Sequence, residues 1–384
     1  MNIKLNTLAV TISLVFIAPQ LQAYQLIKDN DNDVKLTGMA YAGHFFGNEK
    51  NSANYGSNNF LRFGVDAKTA IDEKLTAIGR YEAQFKLNNP DSEQNFASNV
   101  NSSDNRNAGD AQGTNIRTRL IFIGLGVKDI GTFTFGRQWS PNADTFTGWT
   151  DIGYTDGYTG AALGLGTDRF ASARASDVLK YSGVFGKAHI LASYKFKTKR
   201  DTSTLDKDNS AYNLAMTYDL PMHMSVGAGF INGNRPQSTA GVSTSDPKLY
   251  LTGLKYDDSS WYAAVTASKG TDFLTNGVDH KGIETALRYT FTNGFGLLTT
   301  WEKQTVDVNG KSLDSHNSTT LGAIYNFNQH LSVSFEYRIN SLDKNAWDPA
   351  AVRAYGDYSK TSGSYNSEAV DAADDYQFAV KYLF

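Results

Sequence analysis

Cysteine is absent from the 384-residue chain. That excludes disulfides, thiolate metal sites and a cysteine nucleophile, and leaves the redox compartment open. Proline is scarce, at 7 residues. No run is as long as the roughly 20 apolar residues that a membrane-spanning helix needs. Neither sign of charge dominates: 36 Lys and Arg stand against 39 Asp and Glu, a formal net charge of −3. No basic excess therefore points to nucleic acid. The 6 histidines are scattered without metal-ligand spacing, and no Ser, His and acid combination stands out as a catalytic triad. "GLGTDRF" lacks the third glycine and the Lys-Ser/Thr pair of a phosphate loop.

What the chain does contain is aromatic and glycine-rich, with 21 Tyr, 22 Phe and 34 Gly, yet its mean hydropathy is only −0.40. That profile favours β-structure. Length alone would allow two or three domains, but barrels often run long as a single unit. The first 23 residues differ from the rest: Lys4 is their only charge, Leu8 to Ile17 is mostly apolar, and "LQA" precedes Tyr24. They read as a secretory signal peptide cleaved after Ala23, although Leu21 is a less usual residue than Ala three positions before such a cut. Residues 24–384 are left as one domain.

That domain is written in period two. The chain stops on "DDYQFAVKYLF", where Tyr376, Phe378, Val380, Tyr382 and Phe384 alternate with residues that include Gln377 and Lys381. In a strand, alternate side chains point to opposite faces. The pattern recurs in "NNFLRFGVDAKTAI" and "KLTAIGRYEAQFKLN". Leu61, Phe63 and Val65 there oppose Arg62, Gly64 and Asp66, and Tyr81, Ala83 and Phe85 oppose Arg80, Glu82 and Gln84. It returns in "AYNLAMTYDL", "TTLGAIYNF" and "HLSVSFEYRI". About 16 such segments of roughly ten residues can be counted, the length of a transmembrane barrel strand. Connectors such as "DEK", "KDIG", "LPM", "DDSS", "TNG" and "NQH" are short, whereas residues 88–115, 140–175, 232–247 and 340–375 are long and polar.

A soluble sandwich would turn the apolar faces inward onto a dry core. A membrane barrel would turn them toward lipid and keep a polar lumen. The polar faces here mix Arg, Lys, Glu and Asp, while the apolar faces carry almost no charge. Lipid explains the asymmetry, because Arg or Lys facing the bilayer midplane costs about 2–4 kcal/mol. A closed barrel also satisfies its backbone groups without water. The expected architecture is an all-β, 16-stranded antiparallel transmembrane β-barrel, with the terminal aromatic stripe on the lipid face of its closing strand.

Five segments in order, "VKLTGMAYAGHFFG", "FLRFGVDAKTAI", "NIRTRLIFIGLGVKDIGTFTFGRQW", "DRFASARASDVLKYSG" and "YQFAVKYLF", resemble the general diffusion porins of Gram-negative outer membranes. The resemblance implies a homotrimer in the outer membrane, in contact with lipid and lipopolysaccharide. It also implies short periplasmic turns, long extracellular loops and a third loop folded into a water-filled lumen, with passive diffusion of ions and small hydrophilic solutes and no cofactor. Residue by residue, it places Arg62, Arg117, Arg119 and Arg174 on the basic wall of a pore constriction. Parity adds Arg80. The opposing acid matches Asp151 of "WTDIGYTD", and Asp156 is the nearest candidate for a second acid. This chain departs from the family pattern where "GYTDGYTG" replaces its Pro-Glu-Phe-Gly-Gly stretch. It departs again at Met39, where a family lysine falls, leaving the basic wall one charge weaker. Arg137 shares the parity of Phe133 and Phe135, which suits a neighbouring subunit's second loop as well as any other role. The small residues Gly38, Ala40 and Ala42 share a face that fits close subunit contact.

"DNDND" at residues 29–33 offers oxygen ligands for calcium but lacks the Gly and distal Glu of an EF-hand, so it reads as a solvated periplasmic lead-in. A substrate-specific channel is the alternative function. It would need an aromatic track on lumen-facing positions, and most aromatics have lipid-facing parity. An outer-membrane enzyme would need a catalytic group that the chain does not offer. The long loops leave room for a secondary role as an adhesin or phage receptor.

Overall fold

The computed structural model describes residues 23–46, 56–87, 116–153, 162–165, 169–197, 210–235, 245–274, 276–308, 310–342 and 374–384. Apart from Ala23, the leader lies outside them. The described residues form a single sheet of 17 strands. They run β1 (Ala23–Lys28), β2 (Asn32–Phe46), β3 (Gly56–Ala70), β4 (Leu75–Lys86), β5 (Ile116–Val127), β6 (Gly131–Trp139), β7 (Arg174–Phe185), β8 (Ala188–Lys195) and β9 (Ala211–Asp219). The remainder are β10 (Met224–Gly233), β11 (Lys248–Asp257), β12 (Trp261–Thr271), β13 (Asp279–Thr290), β14 (Phe295–Val308), β15 (Lys311–Asn326), β16 (Leu331–Asn340) and β17 (Asp375–Leu383).

From β2 onward each strand pairs antiparallel with the next, and β17 returns to pair with β2 through Leu383↔Met39 to Tyr376↔Phe46. Strands β2 to β17 thus close a ring of 16, the 17 of the sheet less β1. The short β1 was not anticipated. It lies on the same edge of β2 as β17 and in line with it: Ala23 pairs with Thr37, the residue just before the Gly38 that meets Phe384.

The alternation read from the sequence is the alternation of the wall. Ile123 is 71% exposed and the neighbouring outward rows carry Phe133, Phe135, Phe378 and Tyr382, whereas Glu284, Glu336 and Gln377 are buried to 1% or less. Large apolar side chains outside with charged ones inside invert the arrangement of a soluble domain, and lipid on the outside is the solvent that makes it stable. No helix among the described residues is long and apolar enough to cross a membrane, so the crossing is made by strands.

At one end the connections are tight, and several are closed by the same device. Asp72 Oδ1 accepts the N–H groups of Lys74 at 2.7 Å and Leu75 at 2.8 Å. Asp258 serves Ser260 and Trp261 at 2.7 Å each, and Asn328 serves His330 and Leu331 at 2.8 Å each. A short Asp or Asn side chain that bonds the backbone two residues on holds a turn without a longer loop. Bonds from Tyr256 and from the Ser260 and Trp261 N–H groups hold the Asp258 carboxyl down at about 2. Asp29 of the "DNDND" run does the same for the β1–β2 hairpin, accepting from Asp31 at 2.9 Å and Asn32 at 2.7 Å. The opposite end is less uniform than the sequence suggested, since only residues 309–310 join β14 to β15 there.

Between β6 and β7 the chain turns into the barrel. A π-helical turn (Ala143–Thr147) leads into α1 (Gly148–Thr150), and a 3₁₀ turn (Arg169–Ala171) precedes β7. Phe146, Leu163, Leu165 and Phe170 pack on Ala215, Ile231, Leu249 and Leu251 of the inner wall. Trp149 and Ile152 pack on Tyr262, Ala264, Ala286, Leu298 and Ile324. Each such large apolar side chain contributes roughly 1.5–3 kcal/mol when fully buried. The inner wall of β9–β15 is therefore partly apolar because this segment covers it. Where the main chain comes closest, the wall is glycine: a Cβ on Gly282 would stand 1.8 Å from Ala162 O, which instead accepts a hydrogen bond from Gln304 Nε2 at 2.8 Å.

Candidate functional site

The inner faces of β3, β4 and β5 carry the basic residues expected there. Arg62 pairs in register with Gln84, and Asp66 with Arg80. Gln84 pairs in turn with Arg117. Arg119 has the same odd parity as Ile121 and Ile123, which face outward. A register shift resolves the conflict: Glu82 pairs with Leu120 and Ala83 with Thr118, so Arg119 is the extra residue of a β-bulge. A bulge bends the strand and re-aims the side chain it carries. Arg119 is turned into the wall and is only 8% exposed.

These side chains bond to one another. Gln84 Oε1 accepts from Arg62 Nε at 3.0 Å and from Arg119 Nη1 at 3.2 Å. Glu82 accepts from Arg119 Nε at 2.6 Å through one oxygen and from Arg80 Nη2 at 2.9 Å through the other. Arg80 Nε also lies 3.4 Å from Asp66. Charge-assisted bonds of this kind are stronger than neutral ones and fix the guanidinium planes. Arg62 further lies 4.9 Å over the ring of Phe60, which stacks on Tyr41 at 4.8 Å. The result is a preformed basic patch with Glu82 built into it and Asp66 at its edge. Parity puts Glu82 and Gln84 on the same face as Arg80, so their presence in the patch was legible, though their bridging role was not.

Arg174 sits at the root of the inward segment, opposite Trp139 in register, with its guanidinium 4.8 Å from the Trp139 ring centroid. Arg137 pairs with the outward Ile121. Asp151 caps the C-terminal end of α1, and its own N–H donates to Thr147 O at 2.8 Å. Asp156 lies outside the described residues.

The segment that carries Asp151 is tied down on both sides. Lys180 of β7 bonds to Asp144 and donates to Trp139 O, the latter at 3.2 Å. Thr150 Oγ1 donates to Glu284 and Tyr262 OH to Trp149 O, both at 2.6 Å. A Cβ on Gly153 would lie 3.2 Å from Glu336 Oε2. Glu284 and Glu302 face each other across β13 and β14, and Glu302 Oε2 is 3.1 Å from His316 Nε2. The inner wall thus has a guanidinium-rich sector on β3–β5 and a carboxylate-rich sector on β13–β16, with the inward segment against the second.

A closed ring of antiparallel strands, apolar outside and charged inside, is the architecture of a β-barrel of the bacterial outer membrane. The model of the Gram-negative porin family matches residues 28–356, and the chain belongs to that family. The outer membrane porin OmpD of Salmonella typhimurium is 26% identical over 378 residues, covering 91% of this chain and 92% of its own. The outer membrane porin PhoE of Escherichia coli is 27% identical over 360 residues, covering 89% and 94%. Among solved structures, Salmonella typhi OmpF in complex with daunomycin superposes with a TM-score of 0.73 at 20% identity over 93% of this chain and 99% of its own. The trimer form of OmpT from Vibrio cholerae does so at 0.65 and 20% identity, over 92% and 100%.

Proposed function

We propose that the lumen conducts ions and small hydrophilic solutes by passive diffusion through a constriction bounded by Arg62, Arg80, Arg117, Arg119 and Arg174 on one side and by Asp151 on the other, with Asp156 as a second acid. The observation that carries this reading is the bonded patch of Arg62, Arg80 and Arg119 around Gln84 and Glu82, which faces into the barrel. Barrels of this strand number leave an aqueous channel. Opposed charge across a narrow aqueous path between low-dielectric walls sets up a transverse field that orients dipolar solutes and penalises apolar ones. A channel dedicated to one sugar would favour a track of inward aromatics. Tyr41 and Phe60 are such a pair, but Arg62 covers Phe60 and makes the pair part of the charged wall. Assembly as a homotrimer is proposed with this reading, the outward Ala40 and Ala42 of β2 supplying a small-residue contact face beside the Phe384 ring that covers Gly38. Reconstitution into a planar bilayer tests the function: discrete conductance steps in potassium chloride are expected, and a folded protein that gives none would overturn it.

A further inference from the structure

The strand that closes the ring brings a charge to the inner wall. Along β17 the inward positions are Asp375, Gln377, Ala379, Lys381 and Leu383, alternating with the outward Tyr376, Phe378 and Tyr382. Across the seam, Lys381 pairs in register with Tyr41 and Leu383 with Met39. One strand further, Tyr41 pairs with Phe60 and Met39 with Arg62. Lys381 and Met39 are therefore diagonal neighbours on one face, a relationship that places them about 7–8 Å apart and within reach of a long side chain. Lys381 sits one row from Arg62 with only the stacked Tyr41–Phe60 pair between them. Its side chain is half-buried on the inner face, where the carboxylates of Asp151 and Glu336 and the guanidiniums of Arg62 on β3 and Arg288 on β13 all act on it electrostatically.

We infer that Lys381 is a selectivity-determining residue of the pore, extending the basic wall across the β17–β2 seam to the side on which Asp151 is held. The inference rests on the diffusion-channel reading above and adds to it a residue on the last strand. Its geometry is set by the backbone. Lys381 is on a regular strand with unbroken pairing on both sides, to Ser332 of β16 and to Tyr41 of β2, so its Cβ cannot leave the inner face without a slip of the whole closing strand. Met39, which looked like a charge missing from the wall, is the uncharged neighbour over which the Lys381 chain can lie. The ammonium then stands between the loop carboxylate and the arginine patch, so a permeating anion passes from one cation to the next and a permeating cation meets one more barrier.

The test is the zero-current potential of single pores across a potassium chloride gradient at low salt, on the full-length protein refolded to a heat-modifiable barrel. Lys381→Met should raise the cation-to-anion permeability ratio about two- to fivefold, the size expected of one charge at close range in a partly screened channel. Adding Met39→Lys to that variant should return most of the shift, because it puts an ammonium back at the diagonal position. Lys381→Arg, which keeps the charge, should hold the wild-type ratio and guards against a mere packing defect. If Lys381→Met conducts with an unchanged ratio, or if Met39→Lys fails to reverse the change, the inference is overturned while the channel reading stands. A wild-type barrel that conducts nothing would instead remove the channel reading itself.

Discussion

The ring of Phe384 lies directly against the backbone of Gly38: a Cβ at Gly38 would fall 2.1 Å from Phe384 Cζ. The two residues also exchange both main-chain bonds, Gly38 N–H to Phe384 O at 2.6 Å and Phe384 N–H to Gly38 O at 3.0 Å. The end of the last strand is thus stitched to the first barrel strand, and glycine is what lets the ring sit there.

Substituting that glycine should loosen the seam. Gly38→Leu forces the terminal ring out, an overpacking cost of about 1–3 kcal/mol, and deletion of Phe384 removes the last paired residue. Both variants should insert into the outer membrane more slowly than wild type in a pulse-chase with surface labelling. Normal kinetics in both would show that the Gly38–Phe384 contact is dispensable for closure.

The same strand presents Ala40 and Ala42 outward, next to the seam, with Gly38 covered by the Phe384 ring. A trimer built on that face should resist mild detergent, so unheated and boiled samples should migrate differently on a gel. Ala42→Arg, which puts a charged side chain on the face without touching the lumen, should convert the unheated band to monomer. Persistence of the trimer would place the subunit contact elsewhere.

The docking of the inward segment on the glycine-lined wall predicts a separable effect. Gly282→Leu would drive its side chain into Ala162 O and break the bond from Gln304, while the strand pairing of β12, β13 and β14 stays available. Single-channel steps should become larger or noisier with the barrel still heat-modifiable. Steps of wild-type size and stability would mean that the segment holds its place without this contact.

Most of the barrel was legible because a strand that separates lipid from water has to alternate. Tyr376 to Phe384 and Leu61 to Ile71 declared their faces by period alone, and the sealed ring follows from repeating that pattern. Three things were hidden, each because it depends on a neighbour distant in sequence. The bulge at Arg119 switches parity within β5, so "IRTRLIFIG" taken in strict twos puts Arg119 and Ile121 on one face; the family resemblance, not periodicity, placed the arginine inward. The apolar inner wall of β9–β15 is covered by Phe146, Trp149, Ile152, Leu163, Leu165 and Phe170 of the inward segment, which no strand period announces. Lys381 was visible as an inward residue, but its proximity to Arg62 depends on which strand β17 closes against.

The patch itself makes the sharpest test. Gln84 receives hydrogen bonds from both Arg62 and Arg119, so the two guanidiniums form one unit of positive charge density and should be removed together. Replacing both with Ser shortens two side chains and deletes two charges from the inner wall. Conductance should rise, and selectivity should move toward cations by more than either single change produces, since the surviving arginine of each single variant keeps its bond to Gln84. Asp151→Asn should move selectivity the other way, because the carboxylate is exposed at the end of α1 and, on the proposed constriction, its loss removes the negative charge set opposite the arginines. Two unit charges about 4 Å apart in bulk water interact by only about 1 kcal/mol, and low-dielectric walls raise that figure. The measurement therefore belongs at about 0.01 M salt, where the Debye length is about 30 Å, rather than at 1 M, where it is about 3 Å. Step size and zero-current potential report the two effects independently. If the double arginine variant folds, conducts and leaves both quantities unchanged, the patch does not line the narrowest part of the path, and Arg117 and Arg174 become the residues to remove next.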